Sequence, residues 1–301
     1  MNEKIVLITG GTGGIGKQTA LALATLGVQV IVTGRSRESG QAAVGELQQL
    51  SGSRHIDLLL ADLSTQAGVR SLADQFRREH GCLDVLINNA GLSEPRRRLT
   101  EDGIEADLAV NVIAPFLLTN LLMERLRSSR SARVINVTGG EHPATIDLDN
   151  LQAERSFLGL RTYSHAKLIM MAVMYEFAQR VQGTSVCINV CYPGRASTNM
   201  TQSVTPQMAP FILRLMWPLF KRMTRPDEGR SAAKAARSAV YLASSAEVEG
   251  LNGTYVNSKS EVVEWPKAVL DQATRRHLWE MAEQLAHLTS GGSPEPQIGR
   301  N

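Results

Sequence analysis

The sequence predicts an α/β fold, a doubly wound parallel sheet in a single domain. Three observations predict it. Short, almost continuously apolar segments recur at residues 4–9, 29–33, 57–61, 84–87, 133–137 and 185–191. Strands covered by helices on both faces read this way, because neither face meets water. Amphipathic stretches at 17–26, 39–50, 68–79 and 107–127 lie between them, and strand–helix alternation at that spacing builds a parallel sheet. Finally, 301 residues with 43% apolar content suffice for one large core. The domain is expected over 1–289. The tail 290–301 has lost its apolar period and reads as disordered.

Bulk properties exclude several roles. A formal charge of +3 on so long a chain gives no basic stripe for nucleic acid. Cys82, Cys187 and Cys191 are too few and too widely spaced for a disulfide framework or a metal site. They suit a reduced, cytoplasmic setting. The apolar run at 5–8 is too short for a leader or a span, and the run at 208–220 is broken by Pro210, Arg214 and Pro218. No membrane span is expected.

The first strand leads into Thr9-Gly10-Gly11-Thr12-Gly13-Gly14-Ile15-Gly16 and then into a helix. Gly10, Thr12, Gly14, Ile15 and Gly16 are placed where a pyrophosphate meets the free N–H groups of a helix N-terminus. Glycines also end strands for no other reason; between strand one and helix one they point to a dinucleotide and a Rossmann-type sheet. After the second strand comes Thr33-Gly34-Arg35-Ser36-Arg37, with no carboxylate before Glu38. A ribose 2′-hydroxyl is usually held by an acid at this point, whereas a guanidinium suits a 2′-phosphate. Arg35 therefore selects NADP(H) as the expected cofactor, although a solvated loop carrying two arginines has the same sequence. Asp62 and Leu63 follow the third strand, at the adenine. Asn88-Asn89-Ala90-Gly91 follow the fourth, where Asn89, Ala90 and Gly91 leave room for the cofactor. Pro193, Gly194 and then Thr198 follow the sixth, with the Thr198 hydroxyl placed for the nicotinamide carboxamide. All lie at the carboxyl ends of strands, where open α/β sheets bind ligands.

Tyr163 and Lys167 stand four apart in Tyr-Ser-His-Ala-Lys, on one face of a helix. An ammonium beside a phenol favours the phenolate and makes tyrosine a usable acid/base. Tyrosine–lysine pairs at this spacing also occur on ordinary helix surfaces.

Together these motifs resemble the short-chain dehydrogenase/reductase family over about the first 260 residues, and within it the retinol-dehydrogenase-like branch. Asp147-Leu148-Asp149-Asn150-Leu151, Trp217-Pro218-Leu219-Phe220 and Glu228-Gly229 carry the likeness to that branch. The resemblance implies hydride transfer between the nicotinamide C4 and a carbonyl or alcohol carbon. Tyr163 would be the acid/base. Lys167 would hold the nicotinamide ribose and assist it, and Asn111 would anchor a proton-relay water.

One position departs from the family. Its fifth strand ends in a serine pair, the second of which polarises the substrate oxygen; here Thr138-Gly139-Gly140 puts Gly139 at that place. Thr138 is one residue early, so its side chain points to the other face unless a bulge re-aims it. Glu141, His142 and Arg195 are alternative donors. Losing one oriented hydrogen bond costs on the order of 3 kcal/mol at such a site. The sequence therefore admits an oxidoreductase with a substitute donor, a non-redox lyase, isomerase or cyclase, and a cofactor-binding protein without turnover.

Residues about 201–226 form an expected helical lid, with Phe211, Ile212, Leu213, Leu215, Met216, Trp217, Leu219 and Phe220. An apolar lid suits an apolar small-molecule substrate, and packing on the core explains the pattern equally well. Flanking Lys221, Arg222 and Arg225 allow peripheral membrane contact. Homodimer or homotetramer formation is expected from the family, through Leu117, Leu118, Leu121, Met170, Met171 and Met174. Core packing accounts for the same residues.

Overall fold

The computed structural model describes residues 4–139, 143–194 and 230–288. Strands β1 (Ile5–Ile8), β2 (Gln29–Gly34), β3 (Ile56–Leu60), β4 (Val85–Asn88), β5 (Ala132–Val137) and β6 (Val186–Cys191) lie where the apolar segments predicted them. Two further strands, β7 (Tyr255–Val256) and β8 (Val262–Val263), complete an eight-stranded sheet in the order β3-β2-β1-β4-β5-β6-β7-β8. All pairings are parallel except β7 with β8. Two-residue strands carry no readable periodicity, and both were missed in the sequence. The strand order reverses between β1 and β4, and there the carboxyl ends open a crevice.

Helices α1 (Gly14–Thr25), α2 (Arg37–Ser51) and α3 (Gln66–Glu79) follow the first three strands. Ser36 and Thr65 cap α2 and α3 by accepting from Ser39 N and Gly68 N. The single helix expected at 107–127 is divided into α4 (Ala106–Leu108), a π turn (Ala109–Ile113), α5 (Ala114–Leu121) and α6 (Met123–Arg127). Pro115 explains the break. It has no N–H to give the Asn111 carbonyl its usual partner four residues on, and Ala114 N reaches back five residues to Ala109 O. Next come α7 (Gly159–Arg180), α8 (Arg230–Ser244), α9 (Lys267–Leu270) and α10 (Gln272–Leu285).

The sheet has a core on each face. One is built around Ile31, Leu86, Phe116, Leu168 and Phe177, the other around Val6, Val30, Leu47, Ile87 and Leu242. Against the first lies α10, whose fully buried Trp279 meets Phe116 and Phe177 edge-on at centroid distances of 4.9 and 5.1 Å. Leu117, Leu118, Met170, Met171 and Met174 are buried inside this same core, and Leu121 packs on it. Their apolar character is thus satisfied within the chain. The expected lid at 201–226, the tail, and residues Glu141, His142, Arg195 and Thr198 lie outside the described residues. No helix among the described residues is long and apolar enough to cross a membrane.

Candidate active site

The glycine turn after β1 is shaped by contacts that leave no room for side chains. Gly10 and Gly14 have φ of +65° and +52°, a region that L side chains rarely adopt. A Cβ at Gly16 would stand 2.4 Å from both Gly10 O and Asn89 Nδ2, so the helix start is pressed against the loop after β4. Gly13 faces open space. No acidic residue and no capping side chain occupies the first turn of α1, which leaves its N–H groups, at Ile15 and Gly16 among others, available to a phosphate. Thr12 packs against Gly34, where a Cβ would meet its Cγ2 at 2.9 Å.

Thr9 and Thr33, which the sequence reading passed over, lock this turn in place. The buried Thr9 Oγ1 accepts from Asn89 N at 3.0 Å and Ala90 N at 3.1 Å, and Thr33 Oγ1 accepts from Gly10 N at 3.1 Å. Asn89 Nδ2 donates to Thr9 O at 2.9 Å and Gly10 O at 3.2 Å. The only signal for them in the sequence is a hydroxyl residue at each strand end. Arg35 is exposed beyond β2, and its charge reaches Asp62. Burial alone would raise the Asp62 carboxyl, but hydrogen bonds from Ser64 and the charges of Arg35 and Arg98 hold it below its ordinary value. Leu63 packs on the core. Pro193 and Gly194 follow β6, with Gly194 at φ +79° and its missing Cβ 3.0 Å from Ser258 Cβ.

The chemical half is assembled from β5, the π turn and α7. Lys167, almost wholly buried, donates from Nζ to Val137 O at 3.0 Å. Its Nζ and Asn111 Oδ1 flank Gly91, lying 3.6 and 3.2 Å from where a Cβ would be. Asn111 is fully engaged by its side chain: Oδ1 accepts from Leu92 N at 3.2 Å, and Nδ2 donates to Leu92 O at 2.8 Å and Asp107 O at 2.7 Å. Its side chain is thus committed, and Pro115 cannot give its main-chain carbonyl the usual donor four residues on. Tyr163 is buried with its hydroxyl toward Gly139, where a Cβ would stand 2.7 Å from Oη. The residue facing the phenol is therefore Gly139.

One open possibility closes here and one expectation is corrected. No bulge re-aims Thr138: the β5–β6 register is unbroken from Ala132 to Val137, and Thr138 N continues it to Cys191 O at 2.9 Å. Its Oγ1 is buried without a hydrogen-bond partner among the described residues. Nor does Lys167 pull the tyrosine down. The phenol is pushed well above its ordinary value, by burial first and then by the negative charge of Asp107 and by Tyr192. Desolvation dominates although the ammonium stands 5.9 Å from the ring centroid. Lys167 itself is pushed down to about 8 by burial, against the opposing pull of Asp107.

The sequence pattern of the short chain dehydrogenases matches residues 4–209, and the chain belongs to that family. Within it the chain falls in the retinol-dehydrogenase-like branch. It is 35% identical to human retinol dehydrogenase 14 over 304 residues, covering 96% of this chain and 88% of that protein. Human polyprenol dehydrogenase is 31% identical over 292 residues, covering 94% and 85%. Among solved structures, an uncharacterized protein of Mycobacterium paratuberculosis has a TM-score of 0.73 at 26% identity, covering 94% of this chain and 93% of that one. The RhlG/NADP complex of Pseudomonas aeruginosa has a TM-score of 0.63 at 27% identity, covering 84% and 94%.

Proposed function

We propose that this chain is an NADP(H)-dependent oxidoreductase that moves hydride between the nicotinamide and an apolar aldehyde, ketone or alcohol. The observation that carries it is the meeting of Tyr163, Lys167 and Asn111 around Gly91 and Gly139, at the mouth of the glycine-turn crevice. When bound, the cofactor supplies or takes up the hydride at C4. Thr12, Gly14, Ile15 and Gly16 hold its pyrophosphate with main-chain N–H groups, and Arg35 holds the 2′-phosphate. Lys167 binds the ribose hydroxyls and keeps a positive charge beside the phenol. Tyr163 gives its hydroxyl proton to the substrate oxygen on reduction, and takes the alcohol proton on oxidation. The RhlG/NADP complex supports the choice of cofactor, and the names of the retinol and polyprenol dehydrogenases support an apolar substrate.

Titration with NADPH and NADH, followed by assay against a panel of apolar aldehydes and ketones, tests the reading. Tighter NADPH binding and NADPH-dependent reduction are expected. Unchanged turnover in Tyr163→Phe would refute the mechanism. Product formation without change in nicotinamide absorbance would indicate a lyase or isomerase, and tight NADPH binding without any turnover a cofactor-binding protein.

A further inference from the structure

Residues 147–156, between β5 and α7, form a stiff turn that is gripped at two points. Asn150 Oδ1 accepts from Arg155 N at 2.9 Å, and Asn150 Nδ2 donates to Ser156 O at 3.1 Å and Ser156 Oγ at 3.2 Å. Ala153, buried and at φ +51°, donates from N to Asn150 O at 3.0 Å. Ile146 and Leu151 pack on the core beneath, but apolar contact is non-directional and does not fix where a rigid turn sits. Hydrogen bonds do. At one grip Gln152 Oε1 accepts from Glu105 N at 3.2 Å, and Gln152 O accepts from Arg97 Nε at 2.9 Å. Glu105 caps α4, which leads into the turn that carries Asn111. At the other grip Asp147 N donates to His165 Nε2 at 3.0 Å, and His165 stands two residues after Tyr163 on α7. The turn thus spans from the helix of Asn111 to the helix of Tyr163.

We propose that His165 is a positioning residue of the active site, its Nε2 fixing the 147–156 turn against α7 so that the turn braces the Tyr163 helix to the Asn111 helix. The proposal rests on the oxidoreductase reading above. A main-chain N–H can only donate, so the Nε2 facing Asp147 carries no proton and the imidazole is neutral. Burial favours that form, lowering His165 from its ordinary value against the pull of the Asp147 charge. Two residues turn a helix by about 200°, so His165 leaves α7 on the side away from Tyr163. It holds the turn without touching the phenol, and it stays out of the chemistry. Under the oxidoreductase reading the substrate carbonyl reaches Tyr163 between the two braced helices. A turn released from His165 keeps its internal bonds and its hold on Arg97 and Glu105, but its place against α7 is lost. Substrate binding should then weaken, while Tyr163 and Lys167, buried in their own packing, keep their proton chemistry.

His165→Leu removes the acceptor, and His165→Gln offers a side-chain carbonyl in its place. The experiment measures amide hydrogen exchange across 147–156, and steady-state rates with NADPH and an apolar aldehyde, for wild type and both variants. In His165→Leu, exchange at Asp147 is expected to quicken by about two- to tenfold, the equivalent of one net hydrogen bond. Exchange in β1 should stay as in wild type, which separates a released turn from a general loss of stability. The KM for the aldehyde should rise by a similar factor at unchanged kcat, the pattern of lost binding rather than lost chemistry. His165→Gln should return both quantities toward wild type. Unchanged exchange in His165→Leu would overturn the proposal, because the bond would then hold nothing. So would faster exchange with an unchanged KM, which would make the brace purely structural, and so would a glutamine variant as impaired as the leucine one. The exchange measurement needs neither cofactor nor substrate. Absence of turnover in the wild type would defeat the oxidoreductase reading, while exchange alone still decides whether His165 holds the turn.

Discussion

Gly139 and Tyr163 compete for the same space: a Cβ on Gly139 would stand 2.7 Å from the tyrosine Oη. The glycine leaves that space to the phenol. It admits the phenol to the position where a side chain would otherwise press on it, and Tyr163, buried against its surroundings, has little freedom to retreat.

Gly139→Ala is expected to displace the phenol and lower turnover by about 10²-fold, the usual effect of a misplacement near 1 Å. Overpacking should also cost about 1–3 kcal/mol of stability. Gly139→Ser should fall in the same direction, since its Cβ meets the same atom. Steady-state rates and melting curves of both variants check this; a serine variant faster than wild type would sink it.

Tyr163→Phe removes one oxygen and leaves the ring in its packing. Turnover should drop by about 10²–10⁴-fold, the contribution of a positioned acid/base, while NADPH affinity holds. Fluorescence titration alongside the rate separates the two effects.

Arg35 is exposed beyond β2 and its charge is felt at Asp62; under the proposed function its guanidinium holds the 2′-phosphate. Arg35→Ala should weaken NADPH binding by roughly 1.5–3 kcal/mol, the range for a hydrogen bond to a charged group. NADH binding should barely move. Equal losses for both cofactors would show that Arg35 does not read the 2′-phosphate.

Trp279 fills the space between Phe116 and Phe177 and carries the Arg180 guanidinium 4.2 Å above its ring. Trp279→Ala should cost about 3–5 kcal/mol, as large-to-small changes in a packed core do. Chemical denaturation measures it, and the loss should be the same with and without NADPH if α10 serves only the core.

Six of the eight strands, the glycine turn, Asn88-Asn89-Ala90-Gly91 and the Tyr163–Lys167 spacing were legible in the sequence, because each rests on local chemistry. Continuous apolar runs, glycines at strand ends and a four-residue helical spacing mean nearly the same thing in any parallel sheet. Long-range partners were not legible. Thr9 reads as one more strand residue until the chain brings Asn89 and Ala90 onto its hydroxyl, 80 and 81 residues away.

The sequence by itself determined where six of the sheet's strands lie along the chain and the glycine turn that follows the first of them. Only the tertiary structure decided the electrostatics. Four residues of spacing put Lys167 5.9 Å from the Tyr163 ring, but burial, Asp107 and Tyr192 all raise the phenol. That desolvation depends on how many atoms from distant segments exclude water, which no local pattern records. The same holds for Asp107, an acid at an unremarkable helix start whose carboxyl is pushed up to about 8 because the fold buries it, with Glu105 adding negative charge.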